Sequence, residues 1–372
     1  MRVFMIIITF IICYIPLLLI FGITPYITRK TEGFGVSIPE HIYHDAQVKK
    51  IRDNYRNSVV LYGGLIAIAI LLAVLNMNST VSAIVLPAGV FVEIGLMFIF
   101  YVRGHKKMKA LKEKNMWIES KLQRVVIDTE FRKKKVRVSP WWFLLHLITI
   151  AATMAIGLYL YDIMPDKVPM NYSLSGEVTR WAEKSYKLLL FAPFMQIFIT
   201  GLMMFIYWTI GKAKQQVDAA HPQRSIEQNR IFRYRWSAFL VFMGFAMVVL
   251  FGFTQLSMLG VVRNIWIITM VPMVMVLGIV ISAIVLSITT GQGGSRVNVK
   301  KDESNGAVNR DDDKYWKFGM FYYNPDDPAV FVEKRFGVGW TNNFARPMSW
   351  VMIAAFVVII ILITYVSKFL SI

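Results

Sequence analysis

Eight apolar stretches, at about residues 3–22, 58–76, 80–102, 141–161, 187–210, 236–256, 264–289 and 348–367, constrain this chain more than any other feature. Each is close to the roughly 20 residues that a helix needs to cross about 30 Å of hydrocarbon. Lipid offers no hydrogen bonds to the backbone, so helices are the expected solution for every one. Only 17% of the 372 residues are charged, against about 25% in an ordinary soluble domain. The expected fold class is therefore an all-α polytopic membrane protein of about eight transmembrane helices, with one small β-rich segment before the last. Aromatic rings settle at headgroup level, and they mark several ends: Trp141 and Trp142 open the fourth stretch, Tyr207 and Trp208 close the fifth, and Trp236 opens the sixth.

Basic residues set the orientation. Thirteen Lys and Arg fall within residues 103–140, which places that loop in the cytoplasm. By alternation, the segments before the second stretch and after the fifth share that side, and each carries six Lys and Arg. The loops assigned to the other side are poor in them, with three in residues 162–186 and none in 76–79. Both termini are then expected outside. Met1 and Arg2 before an apolar run resemble a secretory signal, but cleavage would reverse the parity and expel the thirteen-charge loop, so a retained first helix is expected. The formal net charge of +18 reads as contact with anionic inner-leaflet lipids and not with nucleic acid, because the charge crowds into juxtamembrane loops, including the RKKKVRV run at 132–138.

Between the spans, Met108, Leu111, Ile118, Leu122 and Val125 recur at helical spacing among lysines, which predicts a basic amphipathic helix along the inner leaflet. Residues 290–313, rich in Gly, Asn, Ser, Asp and Lys, read as a flexible linker between a seven-helix domain at 1–289 and a small folded piece at 314–347. In that piece, aromatic and β-branched clusters alternate with turn formers at 324–328 and with Gly337 and Gly339, so short strands are expected. Under 40 residues cannot bury an independent core, so the piece must dock on its neighbours before the final helix at 348–372. Asp326 and Asp327 read as a turn and not as a cation site.

Two motifs carry a family resemblance. The loop YDIMPDKVPMNYSLSGEVTRWAEK at 161–184 resembles DUF1648, a motif of bacterial membrane proteins that includes the Sdp toxin immunity family, through Pro165, Asp166, Val168, Pro169, Tyr172, Gly176, Glu177, Trp181 and Lys184. Where that pattern has His, this chain has Asn171, which cannot titrate near neutral pH. Trp316, Gly319, Tyr322, Asn324, Pro325, Asp327, Arg335, Gly339, Trp340 and Asn343 resemble a second family, DUF5808. The first resemblance implies envelope defence, toxin immunity or antimicrobial-peptide sensing. It makes Asp166, Asn171, Glu177, Trp181 and Lys184 a candidate ligand surface, with a secreted antimicrobial peptide, or a membrane or regulatory protein, as partner. A rigid loop joining helices four and five explains the same residues without a ligand.

Enzyme motifs are not found: neither a His-Glu-x-x-His helix, nor a phosphate-cradling Gly-x-x-x-x-Gly-Lys loop, nor a Gly-x-Ser-x-Gly elbow occurs. The lone Cys13 and five scattered histidines point to no cofactor and no metal. A non-enzymatic protein is expected. Within the spans, Glu93 is a default functional candidate, because a carboxylate in hydrocarbon must face the interior, be neutral or find a partner. Gln196, Gln255 and His146 are the expected partners, and an ion- or proton-coupled transporter or channel is the alternative reading.

Overall fold

The computed structural model describes residues 2–117, 123–124, 135–300, 308–309 and 311–370. Eight long apolar helices are present among them. In chain order these are α1 (Arg2–Ile27); α2 (Ala46–Ser58), which runs through a π-turn at Val59–Gly63 into α3 (Gly64–Asn76); α4 (Ser79–Asn115); α5 (Leu144–Tyr159); α6 (Tyr186–Lys212); α7 (Pro222–Met258); α8 (Ile265–Thr290); and α9 (Pro347–Leu370). Each expected span has its helix.

The helices form two groups. In the first, α1, α2–α3 and α4 pack together, and in the second α5, α6 and α7 do. Helix α8 touches both α1 and α7, and α9 leans on α6. The first group is knit by a stripe on α4 at Ser82, Leu86, Gly89, Glu93, Met97, Phe100, Gly104 and Met108, spaced three or four apart, which is the inward face of a helix. Helices α4 and α7 each have 37 residues, about 55 Å at 1.5 Å per residue, so both extend well beyond the hydrocarbon. Here the structure corrects a prediction. Residues 106–115 continue α4 instead of starting a separate interfacial helix, and Met108 and Leu111 face the protein, in a cluster with Phe34 and Val48. Ile118, Leu122 and Val125 lie outside the described residues, as do 132–134 of the basic run.

The strands are short and pair in twos: β1 (Glu32–Gly33) with β2 (Val36–Ser37); β3 (Gln123–Arg124) with β6 (Val308–Asn309); β4 (Lys167–Tyr172) with β5 (Val178–Glu183); β7 (Trp316–Lys317) with β8 (Phe321–Tyr322); and β9 (Phe331–Glu333) with β10 (Trp340–Asn342). The β4–β5 hairpin lies at the end of the bundle that also holds the α7–α8 turn, where Pro165 approaches Gly260. The β7–β10 strands lie at the opposite end, against the α1–α2 connection, the α6–α7 connection and the protruding part of α4. The segment read as a linker is described only in part. It opens with a tight turn at Gln292–Gly294, buried at all three residues, and Asp311, Asp312 and Asp313 are ion-paired. Residues 301–307 and 310 lie outside the described set.

Candidate functional site

Pro165, Pro169 and Gly176 disguise a β-hairpin in the 161–184 loop. Val168 and Ala182, opposite each other in the β4–β5 register, point down and are buried with Met164, Leu188, Leu189, Met258 and Leu259. The turn closes through Ser173, whose amide donates to the Glu177 carbonyl at 2.8 Å, with Gly176 at φ +85°. Leu174 at its tip reaches the cluster of Tyr14, Ala67 and Leu86 in the first helix group. The hairpin therefore stands on the second group and touches the first.

Its other face is open. Trp181, opposite Pro169, is 55% exposed, and Asp166, Asn171 and Glu177 are exposed as well. The Glu177 carboxylate accepts from Ser175 Oγ at 3.2 Å. Lys184 does not face the open surface. Its ammonium donates to the Asp162 carbonyl at 3.1 Å and lies 4.9 Å from the Tyr161 ring centroid, which stacks in turn on Tyr186. Four of the five expected surface residues are thus exposed, and Lys184 braces the base of the hairpin.

The intramembrane polar residues do not form the expected cluster. Gln196 Nε2 donates to Thr153 Oγ1 at 2.9 Å and to the Val248 carbonyl at 2.8 Å. Gln255 Nε2 donates to the Thr153 carbonyl at 2.9 Å. His146 Nε2 is 3.1 Å from the Val241 carbonyl; a carbonyl only accepts, so this nitrogen carries the proton. All three belong to the second helix group, whereas Glu93 sits in the first, fully buried and with neither carboxyl oxygen hydrogen-bonded. The expected partnership fails because the spans separate into two groups, which no spacing along the chain announces.

The residues that sequence reasoning missed lie at the opposite end. There the 311–346 segment forms a cap held by buried charge. Glu333 in β9 pairs with Arg29, just beyond α1, and with Arg233 of α7 at 3.2 Å, and it accepts from Asn229 Nδ2 at 2.5 Å. Arg233 also donates to the carbonyls of Ile210 and Ala213 at 2.6 and 3.0 Å. Arg335, 1% exposed, pairs with Asp312 and Asp313 and donates to the Gly35 carbonyl at 3.1 Å. Burial alone would raise the Asp313 carboxyl; Arg335 and Lys112 outweigh it and hold it below the usual range. Glu32 behaves differently: burial pushes its carboxyl up to about 7 against Arg335 and Arg29, and one of its oxygens makes no hydrogen bond.

Gln292, in the tight turn after α8, completes the seam. Its side chain donates to the Lys334 and Gly339 carbonyls at 2.9 and 3.0 Å and accepts from the Gly339 amide at 2.7 Å. The turn itself must be glycine, since a Cβ on Gly294 would lie 2.1 Å from the Gln228 carbonyl oxygen. Asn324 Oδ1 accepts from the Asp326 amide, and Asp327 is bound by Lys214 and Tyr322, so turn formation and docking occupy both residues. Among the described residues, no group of three or more His, Cys, Asp or Glu is placed to hold a metal ion.

Residues 148–197 match DUF1648, a domain of unknown function. The DUF1648 match spans most of α5, the hairpin and the first part of α6, and so includes both Thr153 and Gln196, whose hydrogen bond ties its two helices together. The model of DUF5808, a family of unknown function, matches residues 325–350, which contain Glu333, Arg335 and Gly339. No curated protein and no solved structure matches the chain. The chain is a multi-pass membrane protein by its eight apolar helices.

Proposed function

We propose that this protein is a non-enzymatic component of bacterial envelope defence, conferring immunity to or sensing of a secreted cationic amphipathic peptide, with the DUF1648-type hairpin as the receiving surface. In this reading the hairpin and both termini face outward, the cap faces the cytoplasm, and the basic residues of 103–140 rest against anionic lipids of the bacterial cell membrane. The observation that carries the reading is the exposure of Trp181, Asp166, Asn171 and Glu177 on a hairpin whose Val168 and Ala182 are spent on docking. Carboxylates draw a cationic peptide, and an indole face receives its Lys or Arg side chains.

The hairpin and the cap each touch both helix groups: the hairpin through Met258 and Leu174, the cap through Arg29 and Arg233. A peptide that shifted one group against the other would therefore be registered at the cap. Deleting the gene should raise sensitivity to a membrane-active peptide, and Asp166→Ala combined with Trp181→Ala should reproduce that loss at normal protein abundance. A deletion strain that matches its parent across a panel of such peptides, with unchanged expression of neighbouring genes, would refute the reading and favour transport.

A further inference from the structure

Glu93 lies in the middle of the buried stripe of α4, between α1 and the helix that contains the Val59–Gly63 π-turn. Three side chains converge there on the bare backbone of Gly63. A Cβ on that glycine would stand 2.5 Å from Met97 Cε, 2.6 Å from Leu18 Cδ2 and 3.6 Å from Glu93 Oε1. The carboxyl thus rests against the π-turn with methyl groups beside it. The one hydroxyl that α1 offers on this face, Tyr14, donates to the Leu86 carbonyl at 2.6 Å.

The other titratable groups along the interface are phenols and the Cys13 thiol beside Tyr14, uncharged at neutral pH. Tyr55 of α2 has an unpartnered hydroxyl, and Tyr101 of α4 donates to the Phe34 and Phe318 carbonyls. The basic side chains of this helix group nearest its core are engaged at its two ends, half-buried Arg2 by the Val74 and Leu75 carbonyls and buried Arg52 by the Tyr43 carbonyl.

A buried carboxylate with neither a cation nor a hydrogen-bond donor is not tolerated in hydrocarbon. A metal cation is no remedy, since it needs about six oxygen ligands where the neighbours are methyl groups and a committed phenol. A proton is the one ligand this site can take. π-Turns interrupt the regular ladder of backbone hydrogen bonds and occur often at functional sites, and one forms the wall beside Glu93. We propose that Glu93 is a proton-binding site, neutral while the α1, α2–α3 and α4 group is closed and exchanging its proton with water when the π-turn opens. The proposal is independent of any role for the hairpin.

Dicyclohexylcarbodiimide tests it directly. This apolar reagent adds the O–H of a protonated carboxyl across a C=N bond, and the adduct rearranges to a stable N-acylurea with no leaving group. Full-length protein in lipid vesicles should acquire one such adduct on the peptide that contains Glu93, at a rate that falls as pH rises, and Glu93→Gln should acquire none there. An infrared difference spectrum against Glu93→Gln should show a carboxylic acid band at neutral pH that gives way to a carboxylate band at alkaline pH. If Glu93→Gln fails to fold, the wild-type labelling profile alone decides. An unlabelled Glu93 at every pH means an ionised, paired carboxylate and overturns the proposal; labelling that does not vary with pH means a fixed structural acid and overturns it too.

Discussion

The two ends of the bundle are fastened by opposite means. The hairpin docks through aliphatic side chains, Val168, Ala182, Leu188 and Leu259, and leaves its charges in solvent. The cap buries its charges: Glu333, Arg233 and Arg335 are at most 2% exposed, and Arg29 is 8% exposed. An apolar seam is tolerant of exchange, because a volume-conserving apolar swap usually costs under about 1.5 kcal/mol. A buried ionic seam is intolerant, because removing one partner strands the other's charge. The hairpin end is thus free to vary what it displays, whereas the cap end holds one arrangement or comes apart.

Glu333→Ala should have the largest effect. It removes the buried carboxylate that Arg29 and Arg233 share, and breaking a buried pair costs about 3–5 kcal/mol. Thermal unfolding of the purified protein should show that loss, and protease should cleave within the cap before the helices unfold. A near-neutral Glu333→Ala would mean that the cap is held by other contacts and would erase the contrast between the ends.

The next effect is a pH dependence confined to the cap end of the bundle. The Glu32 carboxyl, held up to about 7, keeps a proton in the folded chain that the unfolded chain releases near its ordinary value of 4.5. Stability should therefore fall as pH rises from about 4.5 to about 7, by on the order of 3 kcal/mol, and level off above. Asp218, raised chiefly by burial, acts in the same direction. Asp313 and Asp327, held below the usual carboxylate range, act oppositely and only at more acid pH. Glu32→Gln should flatten most of the slope; an unchanged slope would remove Glu32 from the account.

The spans were legible in the sequence because a run of about 20 apolar residues has one physical use in a membrane. The ionic seam was not. Arg29, Arg233 and Lys112 were read only as basic residues that report orientation, and their partners Glu333, Asp311 and Asp313 lie 100 to 304 positions away. Nothing local marks such a pair. The continuation of α4 was legible and was missed: Gly104 and Met108 extend the stripe of Met97 and Phe100 without a break in period. The hairpin was hidden by its prolines, although Val168 and Ala182 stand in the right phase for buried strand positions. Glu93 was found as an isolated charge in an apolar run, but its surroundings depend on which spans group together.

The smallest effect on stability is expected at the hairpin's open face. Asp166→Ala removes an exposed side chain and should fall within about 0.5 kcal/mol, and Trp181→Ala, which removes a side chain 55% exposed, should cost only somewhat more. A loss several times larger would show that this face is part of the packing and not a display.

The account rests on the hairpin and the cap lying on opposite sides of the membrane, with the hairpin outside. Single cysteines at Ser175, in the hairpin turn, and at Asp326, exposed in the cap, placed in a Cys13→Ala background and treated with an impermeant maleimide, measure this directly. Ser175→Cys should label in intact cells, and Asp326→Cys only after permeabilisation. Equal labelling of Asp326→Cys in intact cells, or protection of Ser175→Cys, would contradict it.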